Sequence, residues 1–412
     1  MPATVSPEMM SVGPPAWLAP LLLLLASGCA GGESSTAARS ADRDSAGTRI
    51  IDVGPIPDDL PVWQPTGVLV DIGEVDGEAP YILDRVASAV RLDDGRIAVI
   101  DGGSSEIRLF DADGRFLTAF GGEGDGPGRF NLPRGLWQHH DSLVVWDIQL
   151  RRTTVFPLGG GDPRVIVPLD VQINVMTDAY RAGDVLVATS EVSRQTGQST
   201  REVTARYITL PLDGGPPDTV ATVDAGTRTA VPLDIQGTRV VAITQPVFSG
   251  SLLEASVGPY FLYANSATAE VHITEPGDTA ATIVRWSTTA IPVTPDHVET
   301  HIRQILSRGG VESLVRGRLG GAGTAATFPR FGGLAAEPGH FWVLDYTIPG
   351  QDRPALWTRF SFDGTPVARI ALPADVTLLQ AGPDFALVRR SDDLGVQHVV
   401  LLRIGPPDIA PG

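Results

Sequence analysis

Three arginines and three aspartates form the most regular polar pattern in this 412-residue chain. Arg85, Arg134 and Arg330 each precede a short apolar stretch, and Asp101, Asp147 and Asp345 each end the stretch after it. The Arg-to-Asp spacings are close to one another, as equivalent positions of a repeat require. Grouped around one opening, three guanidinium groups can hold a carboxylate or phosphate through two-point contacts. Alternatively, each arginine pairs with an aspartate and only orients its loop. The sequence leaves both uses open.

The histidines offer less. His297 and His301 sit four apart in TPDHVETHIRQIL, which brings two imidazoles to one helix face and permits a shared metal. Val298 stands where the zinc-protease pattern needs Glu, so a solvated helix face is the simpler use. His139 and His140 end a strand and are assigned to the hydrogen bonding of a turn. No G-x-S-x-G turn occurs, nor a glycine-rich phosphate loop followed by Lys, and the one cysteine is Cys29. No catalytic residue is identified. A formal net charge of -17 argues against binding a nucleic-acid backbone, which needs a basic footprint.

The elements that must position these residues are strands. With 46 Gly, 34 Pro and only 6% aromatic residues, the chain reads as turn-rich β structure. One unit recurs: a turn, a short apolar strand, then a partner strand. It appears as DGRIAVID at 94–101, DSLVVWD at 141–147, GDVLVATS at 183–190, GPYFLYAN at 258–265, GHFWVLD at 339–345 and PDFALVRR at 383–390. The starts recur at the period of a four-stranded propeller blade, with two longer gaps holding insertions. The expected fold is therefore all-β, a six-bladed β-propeller over 49–412. GVLVDIG at 67–73 has no blade of its own and is expected to join the last blade and close the ring, which removes an exposed sheet edge.

The stretch RLDDGRIAVIDGGSSEIRLFDADGRFLTAFGGEGDGPGRFNLPRGL resembles an NHL-type blade and the start of the next. DADG supplies the tight turn and FGGEGDGPGRFNLP the glycine-rich crossing. Ser104, Ser105 and Glu106 replace that family's Asn-His-Arg triplet. The chain is similar to the six-bladed propeller proteins that bacteria export, often as lipoproteins, and this resemblance implies the fold without assigning residue roles. Lactonase-like propellers hold an axial calcium through Glu, Asn and Asp. Asn174, Asn265, Asp101 and Asp147 are the conceivable ligands here, and calcium is the one cofactor considered.

Two further segments carry expectations. TPDHVETHIRQILSRGGVESLVRGRLGG, about 294–320, reads as a helical insertion between the fourth and fifth blades, with Thr294 or Asp296 as cap and Pro295 in the first turn. It forms either a lid or rim over the Arg/Asp positions or a pair packed on a blade side. At the other end, WLAPLLLLLASG followed by Cys29 fits a signal peptide over 1–29 ending in a lipobox-like ASGC. Residues 30–48 are small and polar and read as a flexible tether. The chain is thus expected in the cell envelope, touching membrane only through a lipid on Cys29. Its use is expected to be non-catalytic binding of a small anion, peptide, glycan or partner protein at the channel mouth. The alternative is a calcium-dependent hydrolase or lactonase.

Overall fold

The computed structural model describes residues 41–406 except Ala46, 168–175, Gln236, Thr279, Asp352 and Asp393. Cys29, the signal-peptide segment, most of the tether and Asn174 lie outside the described residues. The regular structure of the described chain is nearly all strand, with two α-helices. β1 (Ala41–Ser45), β2 (Thr48–Pro55) and β3 (Val62–Ile72) come first. Two antiparallel four-stranded sheets follow: β4 (Val86–Arg91), β5 (Ile97–Asp101), β6 (Glu106–Phe110) and β7 (Phe116–Gly121), then β8 (Pro133–His139), β9 (Ser142–Asp147), β10 (Arg152–Pro157) and β11 (Arg164–Ile166).

A five-stranded sheet holds β12 (Met176–Ala182), β13 (Val185–Gln195), β14 (Thr200–Pro211), β15 (Thr219–Ile235) and β16 (Thr238–Thr244). The next group is β17 (Leu252–Val257), β18 (Tyr260–Asn265), β19 (Glu270–Thr274) and β20 (Ala281–Ser287), to which β2 adds in parallel, with β1 outside it. Helices α1 (Pro295–Ser307) and α2 (Glu312–Ala322) follow. The last strands are β21 (Gly333–Glu337), β22 (His340–Leu344), β23 (Ala355–Ser361), β24 (Pro366–Leu372), β25 (Val376–Ala381), β26 (Phe385–Ser391) and β27 (Gln397–Gly405). Strand β3 joins them into one sheet: Val62 and Trp63 pair with β24 in parallel, and Gln64–Ile72 pair with β27 antiparallel.

The second strand of each group carries a buried, mostly apolar segment because neighbouring groups cover both of its faces, and β13 and β26 run on into exposed polar residues. Ile97, Ala98, Val99 and Ile100 are all fully buried, as are Leu143, Val144, Val145 and Trp146. Apolar clusters fill the spaces between successive groups. Leu109 and Ile100 meet Leu143 and Val145, while Trp146 meets Leu186 and Ile208. Further along, Leu262 and Val271 meet Phe341 and Phe360, and Trp342 meets Val388 and Val400. A last cluster brings Leu387, Val399 and Leu401 against Ile97, Val99 and Phe110. Each fully buried large side chain contributes about 1.5–3 kcal/mol of transfer free energy.

The N-terminal strands sit on two glycine turns. Gly114, at φ 82, has Val70 of β3 within 2.8 Å of where a Cβ would stand. Gly364, at φ 83, has Ile51 of β2 at 2.9 Å in the same sense. Both turns need the left-handed region and a bare Cα.

One segment departs from the sequence reading and another follows it. Strand structure begins at Ala41, inside the stretch read as tether, because β1 folds back on β2 and charged pairs line the hairpin: Arg49 donates to Asp42 at 2.7 Å. The helices are where the caps put them. Thr294 and His297 make a reciprocal capping box with Pro295 in the first turn. α2 lies along the β15–β16 hairpin, where Gly317 and Gly321 allow close approach to Leu233 and Val231.

Candidate functional site

The first strands of the groups, β4, β8, β12, β17, β21 and β25, line one central cavity of about 770 Å³. Its polar lining includes Arg91, Asp93, Arg134, His139, His140, Arg181, Asp184 and Glu254. Arg134 stands near the start of β8 and His139 at its end, so the two lie roughly 17 Å apart along the strand. The cavity therefore has a loop end, where the first strands begin, and a hairpin end, where they turn into the second strands.

At the loop end the six expected residues separate, and of them only Arg134 lines the cavity. Asp147 is wholly buried and accepts four backbone N–H bonds, from Asn131, Leu132, Gln149 and Leu150, at 2.8–3.0 Å. It ties the loop before β8 to the turn after β9. Asp101 does the same for its group, accepting from the N–H of Asp84 at 2.9 Å, and forms an ion pair with buried Arg108 at 2.6 Å. Arg108 also donates to the carbonyls of Pro80 and Ile82.

Asp345 pairs with Arg369 at 3.2 Å. Arg85 lies on the surface beside Asp84 at 3.3 Å. Arg330 donates its backbone N–H to Ser266, and its Nη1 is buried without a hydrogen-bond partner among the described residues. The Arg-to-Asp pairs suggested by the spacing do not form: each aspartate takes nearer partners. The conceivable calcium ligands among the described residues, Asp101, Asp147 and Asn265, are engaged separately as well. The Asn265 side chain donates to Asp224 O and accepts from Ala267 N–H.

The insertion sits over the loops that carry Arg330 and Asp345. Phe328 packs against Tyr346 at a tilt and against His297 edge-on, and Phe248 packs at a tilt against His301 and Phe328, with centroids 4.9–5.5 Å apart. The two helix histidines thus pack on different aromatic rings. No residue of either helix lines the cavity: α1 sets its histidines on the loop aromatics and α2 lies along the β15–β16 hairpin.

At the hairpin end the groups are brought together by turns rather than by spacing. His139 Nε2 is 3.4 Å from Asp184 Oδ1, its Nδ1 is 3.3 Å from Arg181 Nη1, and its ring lies 4.3 Å from that of His140. Arg181 also donates to Gly183 O at 2.7 Å. Burial, with the Arg181 and His140 charges close by, holds the His139 imidazole below its ordinary range. Gln138 stitches this end together, accepting from Asp93 N–H and donating to His140 O.

The backbone at His140 is unusual. The two-residue turns His140–Asp141, Gly183–Asp184 and Gly258–Pro259 are equivalent, since they close the pairs His139/Ser142, Ala182/Val185 and Val257/Tyr260. Their first residues have φ 49, 58 and 54. Two are glycine and the third is His140, for which this region costs on the order of 1–2 kcal/mol. Sequence reasoning placed His139 and His140 at a turn but missed Arg181 and Asp184. Aligning the three hairpins would have exposed a histidine in a glycine position.

This architecture is a β-propeller fold, and solved structures of that type resemble it. A protein of Bacteroides fragilis described as exported matches with TM-score 0.51 at 11% identity, over 87% of this chain and all of that one. A member of the DUF4221 family from Bacteroides vulgatus matches with TM-score 0.45 at 8% identity, over 84% and 97% of the two chains. A calcium-binding regucalcin from Agrobacterium tumefaciens matches with TM-score 0.37 at 12% identity, over 83% and 96%. No sequence family and no curated protein matches the chain. Among the described residues no helix is long and apolar enough to cross a membrane.

Proposed function

We propose that the chain is an exported, lipid-anchored, six-bladed β-propeller that binds a small anionic ligand in its central cavity without transforming it. The observation that carries the reading is Arg134. It lines the cavity, is exposed, and has no ion-pair partner among the described residues. A free guanidinium in a concave site offers a two-point contact to carboxylate or phosphate. Arg91 and Arg181 line the same cavity, and neither forms an ion pair within 4.0 Å among the described residues.

In this reading the six strand groups are blades, and β3 closes the ring by completing the last one. Its pairing with β27, and the cluster that packs the last group on the first, support that. Export and anchoring through Cys29 rest on the N-terminal apolar run, and nucleic acid is not a partner given the charge of -17. The calcium-dependent hydrolase reading has less support, because Asp101 and Asp147 are already saturated by loop N–H groups and Arg108.

The test is thermal unfolding of residues 41–412 with a panel of small carboxylates and phosphates, repeated with Arg134→Ala. A native-state ligand raises the midpoint with concentration, adding about 2.7 kcal/mol of stability at a free concentration a hundredfold above Kd. An anion-specific shift lost in Arg134→Ala is expected. No shift, or one indifferent to Arg134, overturns the reading.

A further inference from the structure

Two independent features meet at the hairpin end of the cavity. One is the backbone of His140, which holds a left-handed conformation that the equivalent Gly183 and Gly258 adopt freely. The imidazole is exposed, so core packing does not account for its presence. The other is donor geometry. His139, His140 and Asp184 each offer one ligand atom, and these atoms lie within 4.8 Å of one another. Metal–ligand bonds of about 2.1 Å at tetrahedral angles put donor atoms about 3.4 Å apart. The Nε2 of His139 and Oδ1 of Asp184 are 3.4 Å apart.

We propose that His139, His140 and Asp184 form a binding site for a divalent first-row transition cation, with zinc as its reference member. Two imidazoles and one carboxylate are a borderline nitrogen–oxygen set, which suits zinc, cobalt or nickel better than the hard, oxygen-seeking calcium. Three protein donors leave a fourth position open, and all three residues line the cavity from which it is reached. The site is at the far end of β8 from Arg134 and does not depend on anion binding there.

Arg181 opposes the metal. A guanidinium only donates, so its contact makes His139 Nδ1 the acceptor and leaves the ring proton on Nε2. A metal on Nε2 moves that proton to Nδ1, where it faces another N–H. Arg181 then withdraws to Gly183 O, which it already holds. The guanidinium charge also repels the cation. Arg181 thereby sets the affinity without touching the metal.

The test uses tag-free, chelator-treated protein, titrated calorimetrically with zinc and spectroscopically with cobalt. One equivalent is expected to bind, with the intense visible bands of four-coordinate cobalt. His140→Gly and Asp184→Asn each weaken zinc binding at least about tenfold, and Arg181→Gln tightens it. His140→Gly also raises the thermal midpoint of the metal-free protein, since it relieves the turn while removing a ligand. A site that contributed only to folding would lose stability in that variant. Absence of saturable binding, binding unchanged in His140→Gly and Asp184→Asn, or calcium bound as tightly as zinc overturns the proposal.

Discussion

At the loop end of the cavity, Asp147 is wholly buried and accepts four backbone N–H bonds. At the hairpin end, the side chain of Asp184 is 85% exposed and has one imidazole contact at 3.4 Å. Asp147 flanks a tight turn and Asp184 sits in one, yet they do different work. The first is consumed in holding two loops together, and its desolvation is offset only because every lone pair is used. The second is left available beside a strained histidine and an arginine with no carboxylate within 4.0 Å among the described residues. Saturated charge marks architecture; charge left reachable at a strained turn marks a place where a ligand can complete the shell.

The contrast can be broken most directly by Asp147→Ala. It leaves four buried N–H groups without their acceptor and is expected to destabilise the fold by about 3–5 kcal/mol in denaturant unfolding. A loss under about 1 kcal/mol would remove the structural assignment of the loop end.

A saturated carboxylate away from both ends calibrates the middle of the scale. Glu270 accepts from Arg285 Nε at 2.6 Å and lies 3.3 Å from His272. His272 first, then Arg285, hold its carboxyl down from 4.5 to about 2. A depressed carboxylate stabilises fully above its unfolded value, and the contribution disappears as pH falls from 4.5 toward 2. Unfolding midpoints should therefore drop through that window, and less steeply in Arg285→Met.

Asp184→Ala is the smallest expected effect, within about 0.5 kcal/mol on stability, because the carboxylate is exposed and singly paired. A larger loss would show that the hairpin end is structural too.

Much of the fold is legible in the chain. The recurring strand pairs, from IAVI with EIRLF to FALVRR with QHVVLL, are found as β5/β6 and β26/β27, and Thr294 and Pro295 start the insertion. Apolar runs bounded by Gly, Pro and Asp carry that information locally. The site was less legible. The regular Arg/Asp spacing reported a repeated loop architecture, and its partners, such as Arg108 for Asp101 and Arg369 for Asp345, sit on other strands.

By itself the sequence determined the strand repeats, the turn glycines, the helix caps and the acidic balance, because each depends on neighbours within a few residues. Only the tertiary structure decided which charges are spent and which are free. His139 and Asp184 belong to different groups, and Arg181 reaches His139 from the adjoining first strand. Their meeting depends on how β8 and β12 line one cavity, a relation between elements some forty residues apart that no local pattern encodes.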